Sequence, residues 1–302
     1  MKVIAPIAIT EAILADSNVG EGDNPAWDAG TTYAAGARVN VLSTHKVYES
    51  AQGANQGHDP TTDDSTWWIE VGATNRWKSF DQRLGDQVQN AGTISYSLTA
   101  PSLVTGIAFF NMAAAQVRVQ VTDAASNETF DVTRSLVDAT EIVDWFSFFT
   151  TDIDGFVTEA LFTGLAAYPG YTIDITIGSG AGIARAGQIV LGKVVQLGDT
   201  LEGTTIGLTS FSTKQVDEFG SCTIVPRAKS DPVNFDFAMP ASGAGRVKRV
   251  LNSLRDTPAV YYADESLIAD LGAMTYGLFK DYEIPLRKAG VSIVQLEIEG
   301  LT

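Results

Sequence analysis

Two histidines, His45 and His58, one cysteine, Cys222, and 36 acidic side chains are the groups through which this chain could do chemistry. A Ser-His-Asp centre needs a serine activated by a histidine that an acid in turn orients. Both histidines fall early in the chain, and "GLTSFS" at 207–212 lacks the G-x-S-x-G turn that exposes a nucleophilic serine. A lone cysteine makes no intrachain disulfide and, with two histidines and no second thiol, no structural zinc site. Cys222 stands in "SCTIVP" (221–226), whose strand-like composition predicts a buried, apolar thiol.

Glycoside hydrolysis needs two carboxylates at a suitable separation, but so many acids offer pairs everywhere and no spacing selects one. "TDIDGF" (151–156) resembles the start of a calcium loop, yet Glu159 comes too early to close it, so a turn is expected there. The glycine-rich runs at 178–192 and 242–247 lack a dinucleotide fingerprint. The first misses the third glycine and precedes an apolar strand; the second has no acidic ribose partner in a βαβ setting. Both are expected to be turns. No catalytic residue, metal ligand or cofactor is assigned, and a non-enzyme is expected.

These side chains must be held by something, and length sets the first bound. The 302 residues fit two or three domains, and 45% hydrophobic with 19% charged residues is a globular balance. A net charge of −16 repels phosphate backbones and anionic membrane surfaces, which argues against nucleic acid and membrane as partners. No stretch approaches the roughly 20 apolar residues that span a bilayer. Pro6 and Glu11 interrupt the hydrophobic start, so a signal peptide is not expected and synthesis in the cytoplasm is.

Alternation of apolar and polar residues predicts strands at 93–100, 116–123, 128–136 and 171–178, with continuous apolar runs at 102–112 and 186–198 suited to central strands. The segments 144–149 and 159–171 are less regular, the second reading as a strand and a loop closed at Pro169-Gly170. Residues 212–228 predict two strands about a turn at Glu218-Phe219-Gly220, and 231–240 a further strand. Val247, Val250, Leu251 and Leu254 lie at helical spacing, with Asp256 and Pro258 ending that helix, before strand patterns return in the last 45 residues. A mainly β chain follows, with a β-sandwich in the middle and an α+β unit at the end.

Residues 27–72 carry three tryptophans and two tyrosines in a span too short for an ordinary core. Trp27, Tyr33, Gly36, Val39, Tyr48, Ala51, Pro60 and the closing "WWIEVG" (67–72) resemble, in order and spacing, the small chitin-binding modules attached to many bacterial chitinases. The resemblance implies a three-stranded module with Trp27 and Tyr33 as core support and with Tyr48, His58, Trp67 and Trp68 as candidate glycan contacts. The exposed aromatic pair that follows the Y-x-A of the sugar-binding relatives is absent; "QGANQGHDP" (52–60) stands there.

The following "GATNRWKSFDQ" (72–82), "GIAFFNM", "GQIVLGKVVQLG" and "IVQLEIEGL" are similar to a family of tailed-phage virion proteins encoded among tail-tip genes. That resemblance implies a baseplate or tail-tip protein located in the virion, with tail proteins and further copies of itself as partners and a host-surface glycan as ligand. The expected domains are 1–25, a segment packing on later domains; 26–72, the carbohydrate-binding-like module; 73–200, a galactose-binding-like β-sandwich; and 201–302, an α+β assembly domain. Two alternatives stand beside it: a carbohydrate-active enzyme with an accessory module, and a module serving only as a protein-docking spacer.

Overall fold

The computed structural model describes residues 1–137, 144–150, 157–216, 218, 220–227, 229–263, 273–285 and 290–301. The calcium-loop-like segment 151–156 and Phe219 lie outside them. Strands β1 (Lys2–Pro6) and β2 (Leu14–Ser17) come first, followed by the meander of β3 (Arg38–Val41), β4 (Lys46–Ser50) and β5 (Trp68–Ala73). A 3₁₀ turn at Asn75–Phe80 leads to β6 (Val88–Thr99), β7 (Val104–Phe110), β8 (Gln116–Thr122) and β9 (Glu128–Ser135). Helix α1 (Trp145–Thr150) precedes β10 (Ala160–Ala167), β11 (Thr172–Ala186) and β12 (Gln188–Gln196). Five short strands follow: β13 (Asp199–Thr200), β14 (Thr205–Ile206), β15 (Thr209–Ser210), β16 (Thr213–Val216) and β17 (Cys222–Val225). The remainder is β18 (Lys229–Ser230), β19 (Val233–Pro240), helix α2 (Ala244–Ser253), β20 (Ala259–Tyr262), β21 (Met274–Glu283) and β22 (Val291–Gly300). The chain is mainly β, as its alternating pattern requires.

A five-stranded sheet, β2-β6-β11-β8-β9, faces one end of a ten-stranded sheet, β10-β7-β12-β1-β20-β21-β22-β19-β13, in which β14 also pairs β19. The period of two explains the packing. Val117, Val119 and Val121 of β8 and Ile173, Ile175 and Ile177 of β11 all point inward, against Ile107 and Phe109 of β7 and Phe162 of β10. Burying each such side chain stabilises the sandwich by roughly 1.5–3 kcal/mol.

The ten-stranded sheet is continuous through β1, which pairs β12 at Ile4↔Val194 and β20 at Ile4↔Val260. Sandwich and C-terminal strands thus share one hydrogen-bonded sheet. Gly192 is required at the β1–β12 contact, because a Cβ there would meet the Ala5 carbonyl oxygen at 1.9 Å. On the other side of β1, α2 lays Val247, Leu251 and Leu254 onto Phe235, Phe237, Leu296 and Ile298. The helix ends at Ser253, a few residues before Asp256, whose φ of 59° is incompatible with continuing it.

Three local expectations are corrected. Residues 178–186 continue β11 as a strand, and the register shift between Gly178 and Ile183 opposite β6 absorbs the glycines as a bulge. Residues 145–150 form a short helix. Cys222 is exposed, because the β16–β17 ribbon has no second layer to cover it.

Candidate functional site

The module of β3, β4 and β5 builds its interior almost wholly from aromatics. Tyr33, Val39, Tyr48 and Trp68 are buried, with Trp27, Ala37, Val41 and Trp67 packed around them. Val39 lies opposite Tyr48, and Tyr33 meets Trp68 edge to face at 5.1 Å between ring centres. The Tyr33 hydroxyl accepts the Asp28 amide at 2.8 Å, and the Trp68 indole donates to the His58 carbonyl at 2.9 Å. The polar tips of Tyr33 and Trp68 are therefore both paired.

This packing corrects part of the predicted ligand surface. Trp68 is 2% exposed and Tyr48 8%, so both belong to the interior together with Tyr33 and offer no face to a sugar. Trp67, in the bend before β5, packs at the edge of that interior. Its ring stacks on His58, at 3.8 Å between centres and 10° between planes, and both residues are half-buried. Of the four candidates, His58 and Trp67 come together as an aromatic ledge.

The ledge is fixed from behind. The Asp63 carboxylate accepts the amides of Trp67 and Trp68, each at 3.0 Å. Asn55, fully buried, donates from Nδ2 to Ser50 Oγ at 3.0 Å and to the Trp67 carbonyl at 3.2 Å, and the Ala51 amide donates to that same carbonyl at 2.8 Å. Asp63 and Asn55 escape sequence reasoning because one lies in an acidic loop and the other in an amide-rich one. The signal that could have found Asp63 is an acid four residues before a Trp-Trp pair.

A second cluster joins the module to the sandwich. Glu21 Oε2 accepts from His45 Nδ1 at 3.0 Å and from Thr74 Oγ1 at 2.9 Å, while Oε1 faces Arg76 Nη1 and Trp77 Nε1, both at 3.3 Å. Burial pushes the Glu21 carboxyl up, but the bonds from His45 and Thr74 outweigh it and hold the group below the usual carboxylate range. His45 stacks on Trp77 at 4.3 Å, and the pair lines a cleft of about 570 Å³ with Lys46, Glu70, Asp81 and Arg83. Burial pushes the Asp81 carboxyl up to about 6, and its Oδ2 has no hydrogen-bond partner among the described residues.

Elsewhere, burial and the neighbouring Asp231 raise Glu159 to about 7, with Lys229 partly opposing, in a cleft of about 330 Å³. Among the described residues no group of three or more His, Cys, Asp or Glu side chains is placed to hold a metal ion, and no helix is long and apolar enough to cross a membrane.

No family model matches the chain, and no curated protein does. Among solved structures it is similar to chitosan-binding module 1 of a chitosanase/glucanase from Paenibacillus sp. IK-5, with 14% identity over 39% of this chain and 84% of that one and a TM-score of 0.26. It is also similar to a mutant lectin-binding domain of Lectinolysin complexed with Lewis b, with 9% identity over 40% of this chain and 82% of that one and a TM-score of 0.27. Overlaps this low transfer no residue and no ligand.

Proposed function

We propose that this chain is a structural component of a phage tail tip or baseplate whose module, residues 26–72, contacts host-surface glycan through Trp67 and His58. The observation that carries the glycan half is the His58–Trp67 stack, held on a backbone pinned by Asp63 and Asn55. A pyranose ring stacks well on a flat, pre-oriented aromatic surface because little side-chain freedom remains to be lost. The resemblance of the motifs after the module to tail-tip proteins supports the virion half, with tail proteins as partners and other copies of the chain as neighbours. In this reading residues 73–200 and 201–302 make assembly contacts, the chain is made in the host cytoplasm, and no catalysis is involved.

The test has two arms. Antibody against the full chain is expected to label tailed particles at the distal end of the tail; labelling of the capsid or of no particle contradicts the virion half. Binding of the full chain to isolated host envelopes is expected to fall at least tenfold in Trp67→Ala and to survive in Ile69→Ala.

One observation favours a second reading, an enzyme acting on polysaccharide. Glu159 and Asp231 are neighbouring carboxylates in a cleft, with Glu159 raised to about 7 as a general acid requires. Turnover of envelope polysaccharide by purified chain, abolished in Glu159→Gln, would establish it in place of the structural role.

A further inference from the structure

Strands β15, β16, β17 and β18 form a two-stranded ribbon that pairs with no other strand among the described residues. Its base is the β15–β18 pair at Thr209↔Ser230 and Ser210↔Lys229, and its tip is the β16–β17 pair from Thr213↔Val225 to Val216↔Cys222. No residue of it contributes to the apolar cores among the described residues. Leu208 is 65% exposed and Ile224 67%, and Phe211 and Val225 are exposed as well. An isolated two-stranded ribbon is marginally stable in water, and its unpaired edges and apolar side chains invite a partner. The ribbon also carries exposed Lys214 and Arg227, neither of them ion-paired among the described residues, in a chain whose net charge is −16.

One face of the same molecule matches it on both counts. Helix α2 covers one side of the β19-β22-β21 sheet; on the other side β22 is exposed at Val291, Ile293, Gln295 and Glu297, and the last part of β21 at Asp281 and Glu283. Cross-strand register sets Asp236 opposite Gln295, Asn234 opposite Glu297, Asp281 opposite Glu297 and Glu283 opposite Gln295. Asp236, Asp281, Glu283 and Glu297 line a shallow groove of about 440 Å³ there, and Lys280 beside it pairs with Glu297. Further along the same face the exposed Ile293 and Val291 lie opposite Ala238 and Pro240. The face is therefore acidic at one end and apolar at the other, and the ribbon carries Lys214 and Arg227 among apolar side chains, with the exposed Glu218 confined to its turn.

We propose that the ribbon of one copy lies on this β19-β22-β21 face of a second copy of this chain. Lys214 and Arg227 then meet the acidic groove, and Leu208, Phe211 and Ile224 cover Ile293 and Val291. The two surfaces differ, so the contact is head-to-tail; it closes into a ring or grows into a filament according to the angle between copies. This inference does not rest on the glycan or virion reading, because it uses only the ribbon and the sheet face.

Sedimentation equilibrium of the full chain tests it. Wild-type chain is expected to exceed the monomer mass in a concentration-dependent way, and both K214E/R227E and E283K/E297K to run as monomers with unchanged thermal unfolding. An equimolar mixture of these two variants pairs intact ribbon with intact face and reversed ribbon with reversed face, so it is expected to associate again although each variant alone is monomeric. L208S/I224S, which leaves every charge in place, is expected to weaken association at least tenfold. Monomeric wild-type chain at every concentration, wild-type mass in the ribbon variants, or a mixture that stays monomeric would overturn the proposal.

Discussion

Residues 27–73 and residues 207–229 are both small antiparallel β units outside the two large cores, one with an interior and one without. The module gathers Tyr33, Tyr48 and Trp68 around Val39 and pairs the polar tips of Tyr33 and Trp68 within itself. The ribbon, of half the length, leaves Leu208 and Ile224 in water. Apolar surface that no core of the same chain can cover has to be covered by another molecule or tolerated. Where the module does expose an aromatic, it exposes one half-buried stack on a pinned backbone, which suits a small rigid ligand. The ribbon exposes a dispersed apolar and basic strip, which suits a broad protein surface.

The sharpest way to break this contrast is to remove the module's interior. Trp68→Ala is expected to cost about 3–5 kcal/mol and to unfold residues 27–73 while the sandwich persists. Amide hydrogen exchange checks this through selective loss of protection in β3, β4 and β5. Asn55→Ala leaves the Trp67 carbonyl short of one donor and Ser50 Oγ without its own; a loss of about 1–3 kcal/mol in local stability is expected from the same measurement.

At the module–sandwich junction the contrast becomes pH-dependent. Burial raises the folded-state pKa of Asp81 to about 6 from an ordinary 3.8, so the protonated carboxyl is the one the fold favours. Its contribution to stability is present in acid and is lost as pH rises through about 6. Asp81→Asn is therefore expected to raise the unfolding temperature near neutral pH and above, with no gain at about pH 4. Thermal unfolding followed across that range checks the sign. The smallest effect belongs to the ribbon: Ile224→Ser, compared under monomeric conditions, is expected to change stability by less than about 0.5 kcal/mol, because Ile224 is 67% exposed and belongs to none of the apolar cores among the described residues.

Much of the fold was legible because its strands bury one face. The alternating valines of β8 and isoleucines of β11 announce their inward side at any register, and the helical spacing of Val247, Leu251 and Leu254 announces α2. The bulge in β11 was not legible, since glycines read as turns unless the partner strand is known. Cys222 misled for a related reason: its strand was read correctly, but sequence does not show that a strand lacks a covering layer. In the module, composition marked the aromatics without dividing them. Trp67 and Trp68 are adjacent and chemically identical, and it is the β4–β5 register and the His58 carbonyl accepting the Trp68 indole that mark Trp68 as the inward one. The Glu21 cluster was invisible, because its five members are drawn from residues 21, 45, 74, 76 and 77 by tertiary contact alone.

The measurement that bears most directly on the glycan contact uses the full chain with ¹⁵N-labelled tryptophan, titrated with chitin oligosaccharides and host-envelope glycans while the five indole signals are followed. The account predicts that one glycan class moves the Trp67 indole saturably, leaves the Trp68 indole in place, and loses its effect in Trp67→Ala. An unmoved Trp67 signal across the whole panel, or saturable binding that survives Trp67→Ala, would contradict it.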